Sequence, residues 1–371
     1  MLRGKDLSVD ERAGQLLWIG FTGTSYGPTL ERLIRQVHPG GLILFARNLE
    51  DAAQVRALTD ALFRATRIPP FLALDQEGGR VNRLKEILGP TAPPLSLATR
   101  AGAESAVRRH SQATAQALKS LGFNVNLAPV LDLSGPDPSN GIGDRAFGED
   151  PRRVAELAAV FARTHLQAGT LPVGKHFPGL GAARGDTHTM LPVVRRARPL
   201  LWSRDLLPYR RLRRVLPIVM VGHAYYPSLQ GKRPHPATLS RAVVDGLLRR
   251  KIGYRGLVLT DDLEMGAIDQ ALDGWDQARA ALRAGSDGLM FCRTEERILQ
   301  AHAGLVRAIK SGEVGAPRLN LSLRRILSLK ERHLVRRRRT PYSAGSVVRS
   351  RLLLESLGGP AGLGPDPTAR P

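Results

Sequence analysis

The chain is short of cysteine, of aromatic side chains, of acid and of long apolar runs, and each shortage excludes something. One cysteine in 371 residues, Cys292, excludes an internal disulfide framework and any metal site built on several thiolates. It lies in the apolar run GLMFC and reads as a small buried hydrophobe, so nothing here needs an oxidising compartment. With aromatics at 5%, the core has to be filled by Leu, Val, Ile and Ala. No apolar run reaches the ~18 residues that span a bilayer. The opening MLRGKDLSVDERAGQ has no apolar stretch ahead of a cleavage site, so a cytoplasmic location is expected. Acid is scarce: 33 Asp and Glu face 55 Lys and Arg, a formal charge of +22. The basic residues are spread along the chain, with a dense patch at Arg336, Arg337, Arg338 and Arg339. Such a field attracts anionic wall polymers, nucleic acid or acidic lipid, but an arginine-rich proteome produces the same excess without any partner. With no aromatic interleaving and no recognised module, no nucleic-acid partner is expected.

What is present is alternation. Eight apolar runs recur at 16–21, 41–45, 70–75, 123–133, 171–176, 217–223, 256–262 and 287–292. Each is nearly continuous in hydrophobicity, as a strand buried on both faces must be. Amphipathic stretches separate them. DAAQVRALTDALFRATR places Val55, Leu58, Leu62 and Phe63 on one face, and PRRVAELAAVFARTHLQAG begins with Pro151 and stops at Gly169. Ser240 is a candidate cap for SRAVVDGLLRRKIG. Parallel strands need crossover helices, so the pattern predicts a single-domain α/β protein, a (β/α)₈ TIM barrel over residues 1–335. Residues 336–371 are basic, rich in Gly and Pro and poor in large apolar groups, and are expected to be a disordered tail. A monomer is expected.

In such a barrel, chemistry sits at the C-terminal ends of the strands. Polar residues gather there: Asp75 to Arg83 after the third run, Arg145 after the fourth, Lys175 and His176 at the fifth, His223 at the sixth, Asp261 and Asp262 at the seventh. One charged group at the end of one apolar strand is explained by a structural ion pair. Five such strand ends are better explained by a site, because unpaired burial is costly. Arg80 and Glu77 read as structural partners, Asp262 as a helix cap, and His223 is open between the two readings.

The segments LDQEGGRVNRL, IGDRAFGEDP, GKHFPGLG, GDTHTMLPV and VLTDDLEMGAI together resemble glycoside hydrolase family 3, in particular its single-domain bacterial β-N-acetylhexosaminidases of peptidoglycan recycling. The resemblance runs from about residue 8 to 335, with the motifs in the family's order. It implies a retaining exo-β-N-acetylglucosaminidase acting on muropeptide or chitooligosaccharide fragments. Asp261 is then the nucleophile, and Asp186 with His188 the acid/base pair. Asp75, Arg83, Arg145, Lys175 and His176 are the sugar ligands. A carboxylate is a competent nucleophile toward an oxocarbenium-like centre, and an imidazole titrates near neutrality. No cofactor and no metal is implied. The fifth loop departs from the family pattern at Leu180, where a polar residue is usual, and at Ala182, where an acid is usual; the expectation is weakened anchoring of the loop that carries His188. The alternatives are a family 3 β-glycosidase or phosphorylase with another sugar preference, and a wall-binding protein without activity.

Overall fold

The computed structural model describes residues 4–135, 140–187, 189–268, 270–358 and 366–368. The strands are β1 (Leu17–Ile19), β2 (Gly41–Ile43), β3 (Phe71–Leu74), β4 (Gln76–Gly78), β5 (Val81–Asn82), β6 (Val125–Asn126), β7 (Leu171–Phe177), β8 (Ile218–Val221), β9 (Leu257–Asp262) and β10 (Gly288–Phe291). Eight of them close into a parallel barrel in the order β1-β10-β9-β8-β7-β6-β3-β2. Each apolar run of the sequence holds one barrel strand, so the expected (β/α)₈ barrel is the observed fold. The exception to the pattern is the antiparallel hairpin β4–β5, which rises from the end of β3.

The runs are apolar because helices cover one side of the sheet and side chains fill the other. Leu17, Trp18 and Ile19 are all fully buried. Trp18 stacks on Phe71 with ring centroids 4.8 Å apart, one of the few aromatic contacts in an aliphatic core. The crossover helices start and stop as their ends dictate. Asp51 accepts hydrogen bonds from the Ala53 and Gln54 amides ahead of the helix Ala52–Arg64, which buries Val55, Leu58 and Leu62. The helix Pro151–Ala168 has its proline in the first turn, is capped by Asp150, and ends on Gly169 at φ 91°, a backbone state that needs no Cβ. Ser240 does not cap its helix. Its amide closes the short turn Ala237–Leu239, and the following helix, Ala242–Lys251, starts from Arg241 with wide π-type bonding.

Two irregularities fall where polar side chains must be aimed inward. The pairing of β7 with β8 shifts register between Gly174 and Phe177, and that of β9 with β10 shifts between Leu259 and Asp262. A bulge of this kind turns side chains that would otherwise alternate across the sheet.

The tail expected to be disordered from residue 336 is partly ordered. Residues Ala344–Ser356 form a helix, begun by Ser343 accepting from the Ser346 amide and packed on the helix Ala103–Ser120. Val347, Leu354 and Leu357 are buried: three apolar groups on one stripe hold a helix whose average composition gives little sign of it. Arg56 donates to the Thr340 carbonyl at 2.8 Å, and Arg339 pairs with Asp60. Residues 359–365 and 369–371 lie outside the described residues. Among the described residues no helix is long and apolar enough to cross a membrane.

Candidate active site

At the C-terminal ends of the strands one cavity collects Asp75, Arg83, Arg145, Lys175, His176, Asp186 and Asp261. These are the residues assigned catalytic or sugar-binding roles in the sequence analysis, except His188, which lies outside the described residues. His223 is not among them. It is fully buried and spans from Thr238 Oγ1 at 2.7 Å to the Asp262 carbonyl at 2.9 Å, joining the ends of β8 and β9.

The cavity floor is an ion-pair lattice. Lys175 extends from the bulged end of β7, and its Nζ lies 2.6 Å from Asp75 Oδ1 and 2.5 Å from Glu77 Oε1. Glu77, on β4, also receives both arms of the Arg145 fork, Nε to Oε2 at 2.8 Å and Nη2 to Oε1 at 2.9 Å. Burial alone would raise the Glu77 carboxyl, but the charges of Arg145 and Lys175 outweigh it and hold that carboxyl far below its ordinary value. Burial alone would lower Lys175, and the charges of Asp75 and Glu77 more than reverse this, so the ammonium stays protonated. Arg145 follows the same balance against Glu77. Glu77 is thus a structural partner, as expected, but of the two cations that face the cavity. It sets where both of them point.

His176 is oriented by a residue that sequence reasoning passed over. Asp132 Oδ2 accepts from His176 Nδ1 at 2.7 Å and from the His176 amide at 3.2 Å, while Oδ1 accepts from the Leu180 amide at 2.7 Å. Asp132 is almost fully buried. With Nδ1–H committed to a carboxylate, Nε2 is the ring atom left to present to a ligand. The signal was present in the run FNVNLAPVLDL, where an Asp interrupts an apolar strand-like segment. The same contact answers the question raised at Leu180. That side chain is buried in the cavity wall, and the loop is anchored through backbone groups instead: the Leu180 amide on Asp132, the Gly181 carbonyl on Asn140 Nδ2 at 3.2 Å, and the Thr187 carbonyl on the Ala267 amide at 3.0 Å. The Asp186 carbonyl accepts from the Thr189 and Met190 amides, both at 3.1 Å.

Asp261 stands at the bulged end of β9, and its Oδ1 accepts the Asp262 amide at 2.9 Å, which fixes the carboxylate plane. The neighbouring Asp262 also lines the cavity and ties β9 to β10, its Oδ1 accepting from the Glu264 and Cys292 amides at 3.1 and 3.2 Å. Burial, reinforced by the Glu264 charge, pushes the Asp262 carboxyl up to about 7. Below that pH it is neutral and adds no charge beside Asp261. Cys292 lines the cavity but is an inert thiol, pushed well above its ordinary value by burial and the nearby carboxylates.

Arg83 has a partner from a distant part of the chain. Its guanidinium binds Asp366 and Thr368, with Asp75 Oδ2 3.7 Å away, and Pro367 and Thr368 form part of the cavity wall. Arg80 pairs with Asp144 at 2.9 Å and braces the turn that carries Arg145.

Comparison with known proteins adds a family to this geometry. Residues 8–329 match the model described as the glycosyl hydrolase family 3 N terminal domain. A protein named beta-hexosaminidase from Alkalilimnicola ehrlichii is 39% identical over 288 residues, 76% of this chain and 82% of the relative. A beta-hexosaminidase from Pseudomonas aeruginosa is 36% identical over 291 residues, 78% of this chain and 86% of the relative. Among solved structures, a glycoside hydrolase family 3 beta-N-acetylglucosaminidase from Paenibacillus superposes with a TM-score of 0.87 at 34% identity, covering 95% of this chain and 68% of that one.

Proposed function

The chain belongs to glycosyl hydrolase family 3, and on that premise we propose that it is a retaining exo-β-N-acetylglucosaminidase that works through a covalent glycosyl–Asp261 intermediate. The observation that carries this reading is that side chains from separate strand ends converge on one cavity: one carboxylate at β9, a cation and an imidazole at β7, and a carboxylate after β3. The relatives named above as hexosaminidases supply the sugar class.

In the first step an Asp261 carboxylate oxygen bonds to the anomeric carbon as the bond to the leaving oxygen breaks, and protonated His188 gives that oxygen its proton. In the second, His188 takes a proton from water, the water oxygen bonds to the same carbon, and the bond to Asp261 breaks, so configuration is retained. Asp186 favours the imidazolium and fixes its tautomer. Asp75 accepts from sugar hydroxyls, while Lys175, His176 Nε2, Arg83 and Arg145 hold the remaining oxygens. The Glu77 and Asp132 contacts described above position three of these groups before substrate arrives, which is where orientation assists the rate. The finer reading is muropeptide-derived or chitooligosaccharide substrates, a cytoplasmic location and a monomeric chain.

The test is turnover of a chromogenic N-acetyl-β-glucosaminide beside the matching glucoside and xyloside, with and without phosphate. The N-acetyl substrate should be preferred, phosphate should leave the rate unchanged, Asp261→Ala should abolish turnover, and His188→Ala should lower it by ~10²–10⁴-fold. A full-rate His188→Ala enzyme removes the acid/base assignment; preference for glucoside, or dependence on phosphate, removes the activity.

A further inference from the structure

The face of the barrel opposite the active site carries a second concavity of about 880 Å³. Its floor is made by the segments that enter β8 and β9: Leu216 and Pro217 on one side, Gly256 and Leu257 on the other. Six arginines stand around it: Arg213 and Arg214 from the turn before β8, Arg255 from the turn before β9, Arg324 and Arg332 from the helices Ala316–Lys330 and Glu331–Val335, and Arg337 just beyond. Among the described residues no acidic side chain lines it. None of the six forms an ion pair with a carboxylate among the described residues. Arg213 and Arg332 donate only to backbone, to the Arg210 and Ser328 carbonyls.

The floor offers no compensation. Arg325, which also lines the concavity, is already committed to Asp287, and the same carboxylate serves Arg249 and Arg318. Three guanidiniums on one carboxylate leave that cluster positive. Some surface arginines elsewhere find an acidic neighbour, as Arg35, Arg67, Arg279 and Arg351 do. What sets this groove apart is that its arginines share one depression, where like charges repel one another unless an anion joins them. A second observation points the same way. His333 lines the groove, and burial together with the charges of Arg337 and Arg332 lowers its imidazole, a sign that the cations around it are uncompensated.

The chemistry of the anion follows from the lining. All the charged groups are guanidiniums, whose planar fork matches phosphate oxygens two at a time. Among the described residues no Phe, Tyr or Trp lines the groove, so bases would find no large aromatic platform beyond the His333 ring. The surface is concave, which admits a chain and not the plane of a bilayer. We propose that this groove binds a linear, phosphate-rich polyanion without bases, of the polyphosphate or phosphodiester type, leaving the sugar cavity on the opposite face open. The proposal is independent of the hydrolase reading.

The experiment measures binding of medium-length inorganic polyphosphate to the full chain over a salt series. Six phosphate contacts should give a slope of log K against log salt of about −4 to −5. The groove variant Arg214→Gln, Arg255→Gln, Arg324→Gln should weaken binding at least ~30-fold and reduce the slope by about 2–3, with glycosidase kcat and KM unchanged. A control of equal charge, Arg32→Gln, Arg241→Gln, Arg307→Gln, should bind like the parent. Polyphosphate should also shift the ring resonances of His333 in the unmodified protein, a readout that needs no variant. Equal weakening by the control would show attraction to diffuse charge and overturn the site, as would unmoved His333 resonances. Tighter groove-dependent binding of oligothymidylate, or of phosphatidylglycerol vesicles, would overturn the assignment to a base-free phosphate chain.

Discussion

Replacing Glu77 by Gln isolates the ion-pair lattice beneath the sugar cavity. The side chains have the same shape, so no void forms, and one amide oxygen can still accept a single hydrogen bond. What is lost is the charge that faces Arg145 at 2.8 and 2.9 Å and Lys175 at 2.5 Å. Lys175 keeps Asp75 at 2.6 Å, and among the described residues Arg145 keeps the Gly141 carbonyl at 3.2 Å. Removing one partner of a buried pair typically costs about 3–5 kcal/mol, because the remaining charge stays desolvated. For a domain of this size that corresponds to a fall in Tm of about 6–10 °C, at about 2 °C per kcal/mol. Calorimetry and urea unfolding of both proteins provide the measurement, with kcat/KM followed in parallel; it should fall as Lys175 and Arg145 lose their aim. In a Lys175→Met background the same substitution should cost at least ~1 kcal/mol less, since one of the orphaned cations is gone. A loss under about 1 kcal/mol with kcat/KM intact would refute the claim that Glu77 holds the two cations in place.

Asp132→Asn should leave the fold standing while lowering kcat/KM by about 10–100-fold, because an amide nitrogen beside His176 Nδ1 reverses the donor pattern that selects the tautomer; unchanged kinetics would show that His176 needs no such partner. Asp262 is raised from 3.8 to about 7 on folding, so the native state loses stability as pH climbs from about 4 through 7. Asp262→Asn keeps the acceptor for the Glu264 and Cys292 amides but has no proton to lose. At about 1.4 kcal/mol per tenfold change in proton affinity, discounted for the partial exposure of Asp262, the variant should gain about 1–2 kcal/mol relative to the parent between pH 5 and pH 8.5. Parallel pH–stability curves for the two proteins would count against the shift. Ending the chain after Gly358 removes Asp366 and Thr368 from Arg83, and KM for a small glycoside should drop about 3-fold or more at constant kcat, since the competent population rises. An unaltered KM would mean that sugar and tail do not compete.

The barrel was legible because its signal is coarse. Eight apolar runs separated by helical stretches leave few other topologies, and strand-end polar groups point to one face. The hairpin β4–β5 was not legible, since Gln76–Gly78 and Val81–Asn82 carry no alternating pattern and are held by site contacts such as Gln76 Nε2 to Asn82 Oδ1 at 2.8 Å. Asp132 escaped notice because its worth comes from three donors that chain folding brings to it, none adjacent in sequence. The helix Ala344–Ser356 was hidden by composition averaged over a longer stretch. The contact of Asp366 with Arg83 spans nearly the whole chain and has no local signature.

That helix also bears on how the protein is made. It shields Ala103–Ser120, a segment synthesised long before it, and does so only after every barrel strand has been made. Until then an apolar flank of the nascent molecule stays wet and adhesive. A premature stop a few codons upstream of Ala344 would spare the strand-end side chains of the sugar site, from Asp75 to Asp261, yet release a product prone to self-association, so a lesion far from the chemistry would read in the cell as loss of the enzyme.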